Sequence, residues 1–408
     1  MQRTILHFDL DAFFCSVEAL LDPSLHDVPF VVAGSPDERG VVASASYAAR
    51  GYGIHSAMPT AQALRLCPSL VVVHPHHHRY GEHSDRVMDL VRQSVPVMEQ
   101  MSIDEAFLDV SGHPRPGPEL AAALQQTIRE QFRLPTSWGV ASSKLVAKIA
   151  TNVGKPNGLI SVPPGDEAAF LAPLPVQMLW GVGPKTQAVL SELGIRTIGD
   201  LAAISAERLV IRFGERAAEL QASTRGLDDS PIVESHEARS ISNETTFRRD
   251  VSDRQELMRT LRALTEEVGR RLRESGLAGS TVRIKVRWPD FTTITRQTTL
   301  PQPSDHDGEI YQAAVDLFER AWRSGKPIRL LGVGVSRLSS PIRQLSLFER
   351  RWEHDSRLLQ AVDAIRARYG TEAMRRASDL SPRPGRRPGA TQARGQGPDP
   401  KDSLPGDE

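Results

Sequence analysis

Hydrophobic periodicity changes twice along this chain, and that limits its fold more than any single motif does. Up to about residue 165, strand-like apolar runs alternate with helical spacing. RTILHFDL (3–10), VPFVVA (28–33), GVVASAS (40–46) and TSWGVA (136–141) read as strands. Residues 12–21, with Phe13, Val17 and Leu20 on one side, and 80–95 and 118–133 read as helices. Residues 51–75 are punctuated by glycine and proline, and MSIDEAFLDVSG (101–112) predicts a hairpin. Ser142 or Ser143 is placed to cap the helix carrying KLVAKIATNV. With no strict repeat, this half reads as mixed α/β.

Periodicity of two then disappears. Residues 166–229 are helical throughout, and strand-like runs return only from 236 to 344, as SISNETTF, STVRIKVRW, FTTITRQTTL and LLGVGVSRL. Helical stretches at 253–275 and 308–324 interrupt them, so this part predicts an α+β module of two helices and about four strands. A last helix is expected at 354–368. The tail 381–408 is too rich in proline, glycine and charge to fold. The fold class is therefore α/β and α+β, multidomain, as 408 residues at roughly 100–200 per domain also require.

No run of about 20 apolar residues is present, which excludes a membrane-spanning helix. Acidic residues interrupt the N-terminal apolar stretch at once, so no signal peptide is read, and the expected location is the cytoplasm. Cys15 and Cys67 suit neither a disulfide framework nor metal-ligand spacing, and Cys15 is expected to be a small buried residue. Net charge is zero overall but unevenly divided. Residues 1–110 hold 7 Lys/Arg against 14 Asp/Glu, whereas 236–344 hold 19 against 14. An acidic front suits bound cations and a basic rear suits a polyanion, although charge alone is equally compatible with ordinary solvated surface.

Carboxylates carry the chemistry. Asp9 ends an apolar strand at FDLD, at the tip of a rigid element. Asp104 and Glu105 are adjacent and reach one point only if SIDE forms a tight bend. A DE pair at a turn is by itself ordinarily solvated. Three converging carboxylates, however, are not left unpaired, and their natural partners are two Mg²⁺ ions, the clamp used for nucleotidyl transfer. Cationic handles for an anionic substrate are also present. Tyr47 and Arg50 share a face if SASYAAR opens a helix, with Ser44 beside them, and Lys155 stands at the KPNG turn. Taken singly, each of these is a surface residue. LWGVGPKTQAVLSELGI matches a helix-hairpin-helix, in which Gly181, Val182, Gly183 and Lys185 would approach a nucleic-acid phosphate, rather than a dinucleotide fold. An ordinary turn between helices is the other reading.

Together FDLDAFFCSVE, VVASASYAARGYGI, HPHHHRY, MSIDEAFLDV, VASSKLVAKIAT with GKPNG, LWGVG and ARSISNETTF resemble the Y-family DNA polymerases, in the bacterial DNA polymerase IV branch. The resemblance runs from Arg3 to about Ser340. It implies a right-hand polymerase: a palm of 1–11 and 76–165, fingers of 12–75, a helical thumb of 166–233 and an α+β little finger of 236–344. Residues 345–380 would hold the clamp-binding end and the last helix. It implies Asp9, Asp104, Glu105 and the Leu10 carbonyl as ligands of two Mg²⁺ ions. Ser44, Tyr47, Arg50 and Lys155 would contact the deoxynucleoside triphosphate, and Phe14 would be the steric gate against a ribose 2′-hydroxyl. Phe13 is the better core aromatic, and Asp11 is not expected as a ligand. His76, His77 and His78 cannot all face one ion and are expected in a solvated loop. QLSLF, with Gln344, Leu345, Leu347 and Phe348, resembles the peptide that docks on the replication sliding clamp.

The implied activity is error-prone translesion synthesis on primer-template DNA, in DNA repair and damage tolerance, without proofreading, by a monomer working at the nucleoid. Two other classes share parts of this pattern. A palm-like nucleotide cyclase lacks the helix-hairpin-helix and the basic terminal module. A non-catalytic accessory subunit would be expected to have lost carboxylates that this chain keeps.

Overall fold

The computed structural model describes residues 3–235, 237–341, 350–370 and 373–374. Three sheets and a helical segment follow in chain order. The first strand, β1 (Ile5–Leu10), leads into α1 (Phe13–Leu21). A small unit comes next: β2 (Phe30–Ala33), β3 (Val42–Ala45), the short α2 (Tyr47–Arg50), α3 (Thr60–Leu66) and β4 (Val71–Val73). Its sheet has the order β3-β2-β4, with β4 parallel to β2. The chain then returns through α4 (His77–Ser94), β5 (Val97–Gln100), β6 (Glu105–Asp109), α5 (Gly117–Phe132), β7 (Thr136–Ala141), α6 (Lys144–Gly154) and β8 (Leu159–Ser161). These strands join β1 in a five-stranded sheet of order β5-β6-β1-β7-β8.

Helices cover both faces of that sheet, so β1 is buried on both sides, as strands in such layers are. Leu6, Phe8 and Leu10 point into the core under α1, α4 and α5, where Phe8 stacks on Trp138 at 4.8 Å. Ile5 and Phe107 point the other way, into a core shared with α6. Alternation along the strand therefore puts Ile5, His7 and Asp9 on the α6 face. Gly139, opposite His7, lets α6 approach: a Cβ there would lie 2.0 Å from the Ala147 carbonyl oxygen and 2.7 Å from the Thr151 nitrogen. Ser143 caps α6 by accepting from the Val146 N–H.

The α6 core continues into the helical segment, α7 (Glu167–Leu171), α8 (Pro184–Glu192), α9 (Ile198–Ala203), α10 (Ala206–Phe213) and α11 (Arg216–Ser223). The last module has β9 (Ser240–Val251), α12 (Arg254–Glu274), β10 (Ala278–Arg287), β11 (Thr293–Ser304), α13 (Asp307–Ala321) and β12 (Ile328–Ser339). Its antiparallel sheet has the order β11-β10-β12-β9, and α12 and α13 pack on one face over a separate core. The final helix, α14 (Arg350–Tyr369), is tied to α12 by Arg273 and Asp363, 2.6 Å apart.

One expectation is corrected. His77 and His78 do not lie in a loop but open α4, because His76 and Tyr80 are both anchored on the buried Glu18 of α1. The Gln344–Phe348 peptide and the tail 381–408 lie outside the described residues. Replacing Gly139 with alanine forces backbone apart from backbone. It is expected to destabilise the protein by about 3 kcal/mol or more, read as a lowered urea midpoint.

Candidate active site

Antiparallel pairing of β1 with β6 sets Asp9 directly opposite Glu105, and the Leu10 N–H donates to the Asp104 carbonyl at 2.8 Å. Residues far apart in the chain thus meet at one end of the central strand. The bend at 101–104 is organised by Ser102. Its hydroxyl donates to the Asp104 carboxylate and accepts from the Asp104 and Glu105 N–H groups, each at 3.2 Å.

Two lysines hold the other carboxylates. Lys155 Nζ lies 2.6 Å from Asp9, and Lys148 Nζ lies 2.5 Å from Glu105. Burial pushes the Asp9 carboxyl up to about 6; the negative Asp104 and Glu105 push the same way, while Lys155 opposes them. Glu105 is held at about 2 by the facing His7 ring and by Lys148. Of these two, Lys148 is the effective partner. His7 is fully buried, its own pKa lowered to about 4 mainly by desolvation, and its Nε2 lies 3.4 Å from Glu105 without a formed hydrogen bond. A neutral imidazole adds no charge. Lys148 also lies 5.6 Å from the Trp180 ring centre, so the helical segment touches this corner.

The donor set fits a hard divalent cation: carboxylate oxygens and a backbone carbonyl at one sheet end, with mutual repulsion that a cation would relieve. Among the described residues, no three His, Cys, Asp or Glu side chains already stand close enough to hold an ion. Asp9 and Glu105 are drawn to lysines instead, and Asp104 to Ser102.

Of the expected nucleotide contacts, Lys155 reaches Asp9 and Tyr47 reaches Asp11, 3.1 Å from its hydroxyl. Ser46 caps α2, and the Arg50 guanidinium lies over the Tyr47 ring at 4.6 Å. Ser44 is largely buried on β3, next to the Cys15 thiol. Cys15 is indeed a small buried residue, its pKa raised to about 11 mainly by desolvation. Phe13 is core, as expected, and Phe14 is half-buried. The Phe14 ring stacks on Tyr80 at 4.2 Å and 11°. Tyr80 in turn donates to Glu18 and accepts from the His76 N–H at 3.0 Å. Farther along, Gly181 has φ +87° and Gly183 precedes α8, with Lys185 exposed on its first turn. Val182 is buried and its N–H donates to the Leu179 carbonyl at 3.1 Å, so its place in the turn is structural.

Lys148, Ser102 and the Glu18–Tyr80–His76 group were missed from the sequence, and Asp11 was weighed there only as a metal ligand. Lys148 had a signal. Lys144, Lys148 and Lys155 fall close to one stripe of a helix, facing strands that carry carboxylates.

The impB/mucB/samB family model matches residues 8–152, its C-terminal domain matches 238–347, and the IMS family HHH motif matches 164–195. The chain is 43% identical to DNA polymerase IV of Dehalococcoides mccartyi over 373 residues, 90% of this chain and 95% of that one. It is 40% identical to DNA polymerase IV of Moorella thermoacetica over 388 residues, 93% and 96% of the two chains. A solved Y-family DNA polymerase chimera of Dbh and Dpo4 superposes with a TM-score of 0.73 at 25% identity, covering 83% of this chain and 99% of the chimera.

Lys148 competes with any cation for Glu105. Lys148→Ala is therefore expected to tighten Mn²⁺ binding to the DNA-free protein by up to about tenfold, measured by calorimetry. Unchanged affinity would show that the ion pair does not compete.

Proposed function

The chain belongs to the Y-family DNA polymerases, in the DNA polymerase IV branch, and we propose that it extends a primer 3′-end by two-metal nucleotidyl transfer at the end of the five-stranded sheet. It is a DNA-directed DNA polymerase of the translesion class, acting on primer-template DNA and deoxynucleoside triphosphates. The register that puts Asp9 across from Glu105, with Asp104 bonded to Leu10, supports the metal-dependent mechanism most directly.

Asp9, Asp104, Glu105 and the Leu10 carbonyl are the groups that would hold two Mg²⁺ ions. Such ions lower the pKa of a primer 3′-hydroxyl and offset charge on the triphosphate and the departing pyrophosphate. The protein's own groups bind and orient. Arg50 and Lys155 supply positive charge for the phosphates, and Tyr47 and Ser44 supply hydroxyls beside them. Lys155 sits on Asp9, and a cation held by that carboxylate would leave its ammonium available for phosphate. Phe14 excludes a ribose 2′-hydroxyl, and its stacking on Tyr80 keeps the ring from yielding.

In this reading the five-stranded sheet with α4, α5 and α6 is the palm, residues 12–75 the fingers, 166–233 the thumb and 236–344 the little finger. Gly181, Gly183 and Lys185 lie against a DNA phosphate at the start of α8, where N–H groups lack intrahelical partners. Gln344–Phe348 docks on the sliding clamp. The setting is bacterial DNA damage tolerance and repair in the cytoplasm, with the protein acting as a monomer. No helix among the described residues is long and apolar enough to cross a membrane.

Primer extension in Mg²⁺ tests the mechanism. Asp104→Ala is expected to lower the rate on the order of 10³-fold or more. Primer-template affinity, carried mostly by backbone phosphate contacts elsewhere, should stay within about threefold. Lost DNA binding would contradict that division. Phe14→Ala should admit ribonucleotides, and unchanged sugar selectivity in single-nucleotide incorporation would remove Phe14 from the gate.

A further inference from the structure

Asp11 lies two residues beyond Asp9, just past the end of β1, yet its surroundings are of another kind. It is completely buried, and its carboxylate accepts from three neutral donors. Tyr47 Oη donates to Oδ1 at 3.1 Å, and the Ser137 hydroxyl lies 2.8 Å from Oδ2 and 3.0 Å from Oδ1. The Asn157 backbone N–H donates to Oδ2 at 2.7 Å. These donors come from α2, from β7 and from the turn after α6. A buried carboxylate is tolerated when donors saturate it, and only an acceptor-only group can serve three at once. The backbone around it is fixed as well. Ala12 is held at φ 45°, a left-handed conformation costly for a residue with a Cβ, and Ser16 Oγ donates to the Asp11 carbonyl at 2.6 Å.

Two of the three donors are tied to the proposed phosphate contacts. Tyr47 is one of them, and Asn157 follows Lys155 by two residues in the same turn. We propose that Asp11 is a positioning residue for nucleotide binding: it holds the Tyr47 phenol and the Lys155 turn at a fixed spacing against β7 and touches neither metal nor phosphate. The proposal rests on the reading that Tyr47 and Lys155 take the triphosphate.

Simple electrostatics predicts the opposite sign, which makes the test sharp. A negative charge next to a triphosphate repels it, so removing that charge alone would strengthen nucleotide binding. Asp11→Asn keeps the shape and removes the charge, but it also places an amide NH₂ among donors. Positioning predicts that KM for the incoming nucleotide rises about tenfold while kcat falls no more than about threefold, in steady-state incorporation on undamaged template. Because Asp11 acts through Tyr47, adding Tyr47→Phe to Asp11→Asn should cost much less than it does alone. A KM that is unchanged or lowered overturns the proposal, as does full additivity of the two substitutions. If Tyr47→Phe alone leaves KM unchanged, the underlying reading of Tyr47 fails instead. Should Asp11→Asn not fold, Ser137→Ala loosens the same carboxylate from β7. A raised KM in that variant supports the positioning role, and an unchanged one overturns it.

Discussion

One row of three ion pairs joins the helix α6 to the sheet beneath it. Lys144 meets Glu99 on β5 at 2.7 Å, Lys148 meets Glu105 on β6 at 2.5 Å, and Lys155 meets Asp9 on β1 at 2.6 Å. The lysines follow one helical stripe and its continuation, and the acids follow three adjacent strands. Negative groups gathered at a sheet end repel by roughly 4 kcal/mol per pair at 4 Å and an effective dielectric of 20, so some cation must stand among them. The row changes character along its length. Lys144 and Glu99 are almost wholly buried, whereas the other two pairs are about a fifth exposed. The first pair is a structural fixture, since removing one partner would strand a buried charge. The other two are partly exposed, as the proposed exchange of lysine for metal and substrate would require.

The fixture also governs how the modules connect. Glu99 accepts from the Val233 N–H at 2.9 Å, and Lys144 lies 3.3 Å from the Pro231 carbonyl, so the segment leaving the helical region is bonded to the same pair. Asp228 accepts from the Leu145 N–H at 2.9 Å, and Arg3 donates to the Asp228 carbonyl at 3.0 Å. Across the cleft the contacts differ in kind. Arg39 pairs with Asp250 at 2.7 Å and Arg248 with Glu38 at 2.5 Å, joining the β2–β3 loop to β9 through partly exposed side chains. Pairs of that sort contribute about 0–1 kcal/mol each and weaken with salt. The segment that leads into the C-terminal module is thus held by buried bonds, whereas the module's own β9 meets the β2–β3 loop through weaker, partly exposed pairs.

Local patterns in the sequence were legible where they were long. β1, β7, α5, α12 and the four long strands of the last module follow their apolar periodicity closely. Short elements were lost: α3 and β4 sit in the glycine- and proline-punctuated stretch before Pro75, and β8 is only three residues long. A parallel strand of three valines gains its identity from β2, not from its own residues. The carboxylates were legible because acids ending an apolar strand contradict burial. Their pairing with lysines was not, because Lys155 was read only as a phosphate handle and Lys148 not at all until the sheet register is known. The histidines at 76–78 failed for the same reason: Glu18, which anchors His76, is 58 residues away.

Asp9 and Asp11, two residues apart, are given partners of opposite kind. The partner of Asp9 is an ammonium on a flexible stem, and burial with like charge lifts its pKa to about 6 despite that partner. Such a carboxylate gains by exchanging a lysine for a divalent ion. Asp11 faces a backbone N–H and two hydroxyls, none of which can leave without abandoning a buried acceptor. Its bonds reach the turn after α6 and β7. In the proposed reading, the first carboxylate would trade its lysine for a cation and the second would keep the groups around it in register.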